Sequence, residues 1–137
     1  MAERIDVLHV DDDASVLDLT EAYLERELEA VAVTSVTTPS AAMAEIDDGR
    51  FECIVSDYDM PEMNGLALFD RLCETDCSTP FVLYTGKGSE EIASQALNAG
   101  VTGYFQKGGS EQLRRLANRV RQAVEEHRTR EVADRYS

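Results

Sequence analysis

The chain has no apolar stretch long enough to span a bilayer, and no apolar signal segment at its N-terminus, so neither a membrane span nor a secretory leader is expected. Cysteine is scarce. Cys53, Cys73 and Cys77 form an odd, unpatterned set, and His9 and His127 lie far from them in sequence, which argues against a zinc site. Cys53 lies in an apolar run and reads as a small core residue. A reducing cytoplasm is the expected setting. Basic charge is also scarce: 13 basic against 27 acidic residues give −14. Binding of nucleic-acid phosphates needs clustered Lys and Arg, so no direct nucleic-acid contact is expected. The acidity serves solubility, and it also fits a salt-rich cytoplasm that screens self-repulsion. Lysine occurs only as Lys87 and Lys107, which makes each one worth explaining. At 137 residues the chain fits one domain, able to bury roughly two-thirds of its unfolded surface without a staple.

Against these absences stands a run of three aspartates, Asp11, Asp12 and Asp13, directly after the apolar run Ile5 to Val10. Adjacent like charges repel, and the plainest gain that offsets this is a hard cation held by carboxylate oxygens. A second apolar run, Cys53 to Ser56, also ends in an acid, Asp57.

The remaining pattern supplies a frame for these acids. Ile5 to Val10, Val31 to Val36, Phe51 to Ser56, Phe81 to Tyr84 and Tyr104 to Gln106 read as short strands. Between them, helices are expected from Ala14 to Leu28, from Pro39 through Ile46 to Gly49, from Leu66 to Cys73, and from Ser89 to Gly100; Ser110 opens a last one. Glu90 and Glu91 in the first turn of the fourth helix suit its macrodipole. This alternation predicts an α/β fold: a five-stranded parallel sheet with helices on both faces, doubly wound in the flavodoxin-like (βα)5 manner. Ligands in such sheets bind beyond the carboxyl ends of the strands. That rule gathers Asp11, Asp12, Asp13, Asp57, Thr85 and Lys107 at one edge.

A carboxylate nucleophile, a divalent cation, an ammonium and a hydroxyl suit phosphoryl transfer. The cation and Lys107 neutralise the oxygens of the transferred group, while Asp57 attacks phosphorus in line. Thr85 can then respond to the phosphoryl group.

Over about residues 5 to 125 the chain resembles the receiver domains of two-component response regulators. The resemblance rests on Val10-Asp11-Asp12-Asp13, on Ser56-Asp57-Tyr58-Asp59-Met60-Pro61-Glu62-Met63-Asn64-Gly65, on Leu83-Tyr84-Thr85-Gly86 and on Gly103-Tyr104-Phe105-Gln106-Lys107. It implies a regulatory domain that catalyses its own phosphorylation and dephosphorylation rather than an enzyme. Asp57 would be the phosphoacceptor. Asp11 and Asp12, with Asp57 and the backbone carbonyl of Asp59, would hold Mg²⁺, with Mn²⁺ as the other candidate. Lys107 would bind the phosphoryl group, Thr85 and Tyr104 would form the switch, and Asp59 and Lys87 would tune its lifetime, Lys87 by pairing with Asp59 or the phosphoryl group. Asp13 falls outside the acidic pair and reads as a helix cap or as a further negative charge behind the pair. The implied partners are a sensor histidine kinase or phosphotransfer protein, and a downstream protein or fused domain docking on the fourth helix, fifth strand and fifth helix; a homodimer stays open. Gly108 and Gly109 replace the proline usual after the lysine, so a looser loop is expected there.

Two other readings compete. Asp57-Tyr58-Asp59 mimics the two-aspartate motif of haloacid-dehalogenase phosphatases, although the chain is short for them. A degenerate receiver serving only for dimerisation is the other, and the presence of every phosphorylation residue argues against it. Gly86-Lys87 is no phosphate loop, because Phe81 and Gly88 stand where glycine and Ser or Thr are required. His9 is expected as a satisfied core histidine. Residues 1–125 are assigned to the receiver and 126–137 to a C-terminal helical extension or linker, because the polar helical pattern runs on without a stop. Arg114, Arg115, Arg119 and Arg121 on the last helix are assigned to ion pairs or a partner surface.

Overall fold

A computed structural model describes residues 4–75, 78–86 and 88–136. Ten elements alternate in it: β1 (Ile5–Val10), α1 (Ala14–Glu27), β2 (Val31–Val36), α2 (Pro39–Asp48), β3 (Cys53–Ser56), α3 (Gly65–Cys73), β4 (Phe81–Thr85), α4 (Glu90–Ala99), β5 (Gly103–Gln106) and α5 (Ser110–Tyr136). All pairings are parallel, and the sheet order is β2-β1-β3-β4-β5. The chain leaves β1 toward one edge for β2, then crosses back for β3. The order therefore reverses between β1 and β3, and a crevice opens at their carboxyl ends.

The strands are apolar on both sides because both sheet faces are covered. Val7, Val55, Val82 and Tyr84 point to one face and pack with Leu24, Leu28, Leu113, Leu116 and Val120 of the α1 and α5 side. Their neighbours Leu8, Val10, Ile54 and Leu83 point to the other, against Ala42, Leu68, Phe69 and Ala96. Period-two alternation thus divides one run of Val, Ile and Leu between two cores.

Helix starts follow side-chain chemistry. Asp13, Thr38, Asn64 and Ser89 each accept a first-turn amide as N-cap. The helix-cap reading of Asp13 is what the structure contains: its carboxylate accepts from the Ser15 amide at 3.0 Å and hydroxyl at 2.6 Å, which holds its pKa below the usual value. α4 ends where Gly100 adopts φ 100°, a left-handed turn that favours glycine.

Differences from the expected boundaries are small. β3 begins at Cys53 rather than Phe51, although the Glu52 amide already donates to the Asp6 carbonyl of β1 at 2.8 Å. β4 reaches Thr85, paired with Gln106. α5 runs unbroken past residue 125, and beyond it the inward face turns polar at His127 and Arg128. Arg128 grips both Glu52 oxygens, at 2.5 and 2.6 Å, and the Arg4 carbonyl at 3.1 Å. The extension is thereby tied to the amino-terminal edge of the sheet.

Arg115 pairs with Glu111 one turn away, and Arg119 donates to the Thr102 carbonyl. Cys53 is buried, as expected. Cys73 is disulfide-bonded, which the sparse cysteine pattern did not announce. Among the described residues no helix is long and apolar enough to cross a membrane.

Candidate functional site

Asp11 and Asp57 sit side by side because β1 and β3 are adjacent and in register, with Val10 opposite Ser56. The Asp57 amide donates to the Val10 carbonyl at 2.9 Å, which extends the ladder one step and fixes both residues at the crevice. Asp11 is fully buried and Asp57 is 5% exposed, whereas Asp12 is exposed. Carboxylate oxygens of Asp11, Asp12 and Asp57 all lie within 4.8 Å of one another.

Lys107 enters from the end of β5, where its amide donates to the Thr85 carbonyl at 2.8 Å. Its ammonium lies 2.6 Å from Asp11 Oδ2 and 3.3 Å from Asp57 Oδ2. Burial alone would lower the Lys107 pKa; the hydrogen bond and charge of Asp11, then those of Asp57, outweigh it and hold the pKa above the ordinary value. Burial pushes Asp11 up, the Lys107 contact and the Asp13 amide pull it down, and the charge of Asp57 pushes it up again; the net direction is up. The other Asp57 oxygen, Oδ1, accepts the Tyr58 amide at 2.8 Å. One carboxylate oxygen is therefore anchored by backbone, and the other faces the ammonium.

Three carboxylates, two of them buried, against one ammonium leave this cluster short of positive charge. The oxygen donors are hard and closely spaced, which fits a divalent cation such as Mg²⁺ or Mn²⁺. The loop carrying Asp59 is drawn in close. Gly65 donates its amide to the Tyr58 carbonyl at 2.8 Å, and a Cβ on Gly65 would stand 2.4 Å from the Asp57 carbonyl oxygen.

The structure thus brings together Asp11, Asp12, Asp57 and Lys107, with Thr85 buried at the end of β4 next to β5. Asp59 is exposed in the loop two residues beyond Asp57. Tyr104, opposite Leu83, packs against the α2–α4 side core with its hydroxyl buried and without a partner among the described residues. Lys87, assigned to lifetime tuning, lies outside the described residues.

His9 is a core residue but not a satisfied one. It is fully buried, and neither ring nitrogen has a partner among the described residues. Its register neighbour Ser35 also has a buried, unpartnered hydroxyl. Burial, with the charge of Lys107 adding, pulls the imidazole pKa down to about 3, so the ring is neutral. Sequence reasoning missed the Tyr58 amide on Asp57 and the role of Glu62, whose carboxylate reaches Ser40. The only signal for either was membership of the Asp57–Gly65 motif.

A family model for the response regulator receiver domain matches residues 7–121. The C4-dicarboxylate transport transcriptional regulatory protein DctD of Rhizobium meliloti is 30% identical over 93% of this chain and 27% of its own length. Among solved structures, a CheY-like response regulator receiver domain protein from Methanospirillum hungatei superposes with TM-score 0.80, at 26% identity over 93% of this chain and 99% of that one. The beryllofluoride-activated NtrC4 receiver domain dimer gives TM-score 0.81, at 29% identity over 89% and 98%. The chain spans less than half the length of the curated relatives named DctD and TodT. With a transcriptional regulator among these relatives, the expectation that nucleic acid plays no part has no support beyond the acidity of this domain.

Proposed function

Because the chain belongs to the response regulator receiver domains of two-component systems, we propose that it accepts a phosphoryl group on Asp57 from the phosphohistidine of a sensor kinase or phosphotransfer protein and passes the change to an output partner. One observation carries the reading: Asp57, 5% exposed at the mouth of the crevice, has one oxygen held by the Tyr58 amide and the other 3.3 Å from Lys107, beside Asp11 and Asp12.

The chemistry follows from these residues. An Asp57 carboxylate oxygen attacks phosphorus in line; the O–P bond forms as the N–P bond of the donor breaks, and the donor imidazole leaves with the electron pair. The Tyr58 amide keeps the carboxylate from rotating away. Lys107, now shared between Asp11 and Asp57, can pivot to a phosphoryl oxygen and offset the added charge. The carboxylates of Asp11, Asp12 and Asp57 and the Asp59 carbonyl would hold Mg²⁺, which when bound supplies charge neutralisation to the phosphoryl oxygens. The Thr85 hydroxyl then closes on the phosphoryl group, and Tyr104, one strand away, follows it. A shift from mostly inactive to mostly active needs about 5.5 kcal/mol of differential stabilisation. Self-catalysed phosphorylation and hydrolysis, with Asp59 and Lys87 tuning the latter, belong to the same proposal.

In this reading residues 1–125 are the receiver and 126–137 a C-terminal helical extension or linker. Output is assigned to the face of α4, β5 and α5. The dimer named in the NtrC4 structure makes a second copy one candidate partner. A cytoplasmic setting accords with the family, and a salt-rich one with the charge of −14. The phosphatase and degenerate-receiver alternatives are not favoured: the family match spans 7–121, and the acids that follow β1 and β3 have carboxylate oxygens within 4.8 Å of one another. The test is stoichiometric. With an acyl phosphate and Mg²⁺, labelling should saturate at one phosphoryl group per chain, and the chain should leave generic phosphate esters untouched. Sustained ester turnover would reject the proposal.

A further inference from the structure

The β3–α3 loop, which carries Asp59, is fastened to α2 by a residue in an unusual conformation. Glu62 has φ 76°, in the left-handed region that a glutamate occupies only when its surroundings impose it. Its Oε1 accepts both the Ser40 amide at 3.0 Å and the Ser40 hydroxyl at 2.6 Å.

These bonds complete the start of α2. Pro39 has no amide hydrogen to satisfy. The Ala41 amide donates to Thr38 Oγ1 at 3.1 Å, and the Ala42 amide to the Thr38 carbonyl at 3.1 Å. The Ser40 amide is the remaining first-turn donor, and Glu62 supplies its acceptor from 22 residues away. A carboxylate there also meets the positive end of the α2 dipole. The loop is consequently held at both shoulders. Gly65 closes on Tyr58 at one, and Glu62 grips α2 at the other, with Asp59 between them.

We propose that Glu62 is a positioning residue for the cation site: its clamp on α2 fixes the loop so that the Asp59 carbonyl faces the carboxylates of Asp11, Asp12 and Asp57. The proposal rests on reading those carboxylates as a divalent-cation site. The coupling is reciprocal, so whatever factor the clamp adds to cation affinity, the cation returns to the clamp.

Mg²⁺ titrations of the whole chain, followed by calorimetry, test this alongside hydrogen exchange at the Ser40 amide. Glu62→Ala and Glu62→Gly should each weaken Mg²⁺ binding by about fivefold or more. The glycine variant matters because it removes the carboxylate while suiting φ 76°, so backbone strain at this position does not contribute to its loss. Glu62→Gln keeps an acceptor oxygen and should stay within about twofold of wild type. Mg²⁺ should slow Ser40 exchange in the wild type and not in Glu62→Gly. If Glu62→Gly binds Mg²⁺ like the wild type while Ser40 exchanges faster, the clamp is only a helix cap and the proposal falls alone. If the wild-type chain binds no Mg²⁺, the proposal falls together with the cation-site reading.

Discussion

Replacing Gly65 by alanine should damage the fold and the acceptor site through the same atoms. The new Cβ would stand 2.4 Å from the Asp57 carbonyl oxygen, 2.7 Å from Leu83 Cδ2 and 3.2 Å from Tyr58 Cα. Two of these are backbone atoms, and Leu83 is fully buried, so none of them can swing aside. Relief requires α3 to move out or the Asp57–Tyr58 peptide to move back by about half an ångström, and overpacking of this kind costs about 1–3 kcal/mol. For a domain of this size, a central value of ~2 kcal/mol corresponds to a fall of about 8 °C in the thermal midpoint. Gly49→Ala is the control: the nearest atom to its Cβ, the Glu45 carbonyl oxygen, is 3.6 Å away, and the midpoint should hold within about 2 °C. Because the displaced peptide carries the amide that anchors Asp57 Oδ1, phosphoryl uptake should also slow in Gly65→Ala beyond what its unfolded fraction explains. Differential scanning calorimetry paired with a labelling time course measures both. A Gly65→Ala chain with wild-type midpoint and wild-type uptake would refute the claim that helix and acceptor strand are in contact here.

Two further outcomes follow from groups far from that contact. Arg128→Ala breaks the two-pronged grip on Glu52 and should cost about 1 kcal/mol and speed amide exchange over residues 128–133; pairing Glu52→Arg with Arg128→Glu should recover part of the loss, and equal exchange in all variants would show that the extension is not tied down. His9 is neutral in the fold down to about pH 3 and titrates near 6.5 when unfolded, so the unfolded chain binds more protons between those values and stability falls as pH drops through 6.5. In metal-free buffer the wild type should lose about 2 kcal/mol more than His9→Leu between pH 7 and pH 5 by denaturant unfolding. Parallel pH profiles would mean that the imidazole is not buried neutral.

Local signals and long-range ones differed sharply in how legible they were. β1 and β2 could be read to the residue because each is a short Val-rich stretch of strand length bounded by charged or turn residues. Helix starts were equally plain where the capping side chain sits beside the helix it caps, as with Asp13, Thr38 and Ser89. Asp11, Asp57, Thr85 and Lys107 were collected by topology: once the strands are parallel, their carboxyl ends share an edge. What stayed hidden depends on partners distant in sequence. Nothing near Glu62 announces that Ser40 awaits its carboxylate, and nothing near Arg128 points to Glu52, 76 residues earlier. The unpartnered His9 was hidden for a related reason. Its burial follows from the strand pattern, but whether its nitrogens find donors depends on Ser35 and on the helix packed above.

In the proposed mechanism the acids at the crevice make Asp57 a phosphoryl acceptor. Intact-mass measurement after incubation with a small phosphodonor and Mg²⁺, on the wild type and on Asp57→Asn, tests it most directly. The wild type should gain one phosphoryl group and Asp57→Asn none; equal labelling of the two chains would show that Asp57 is not the acceptor.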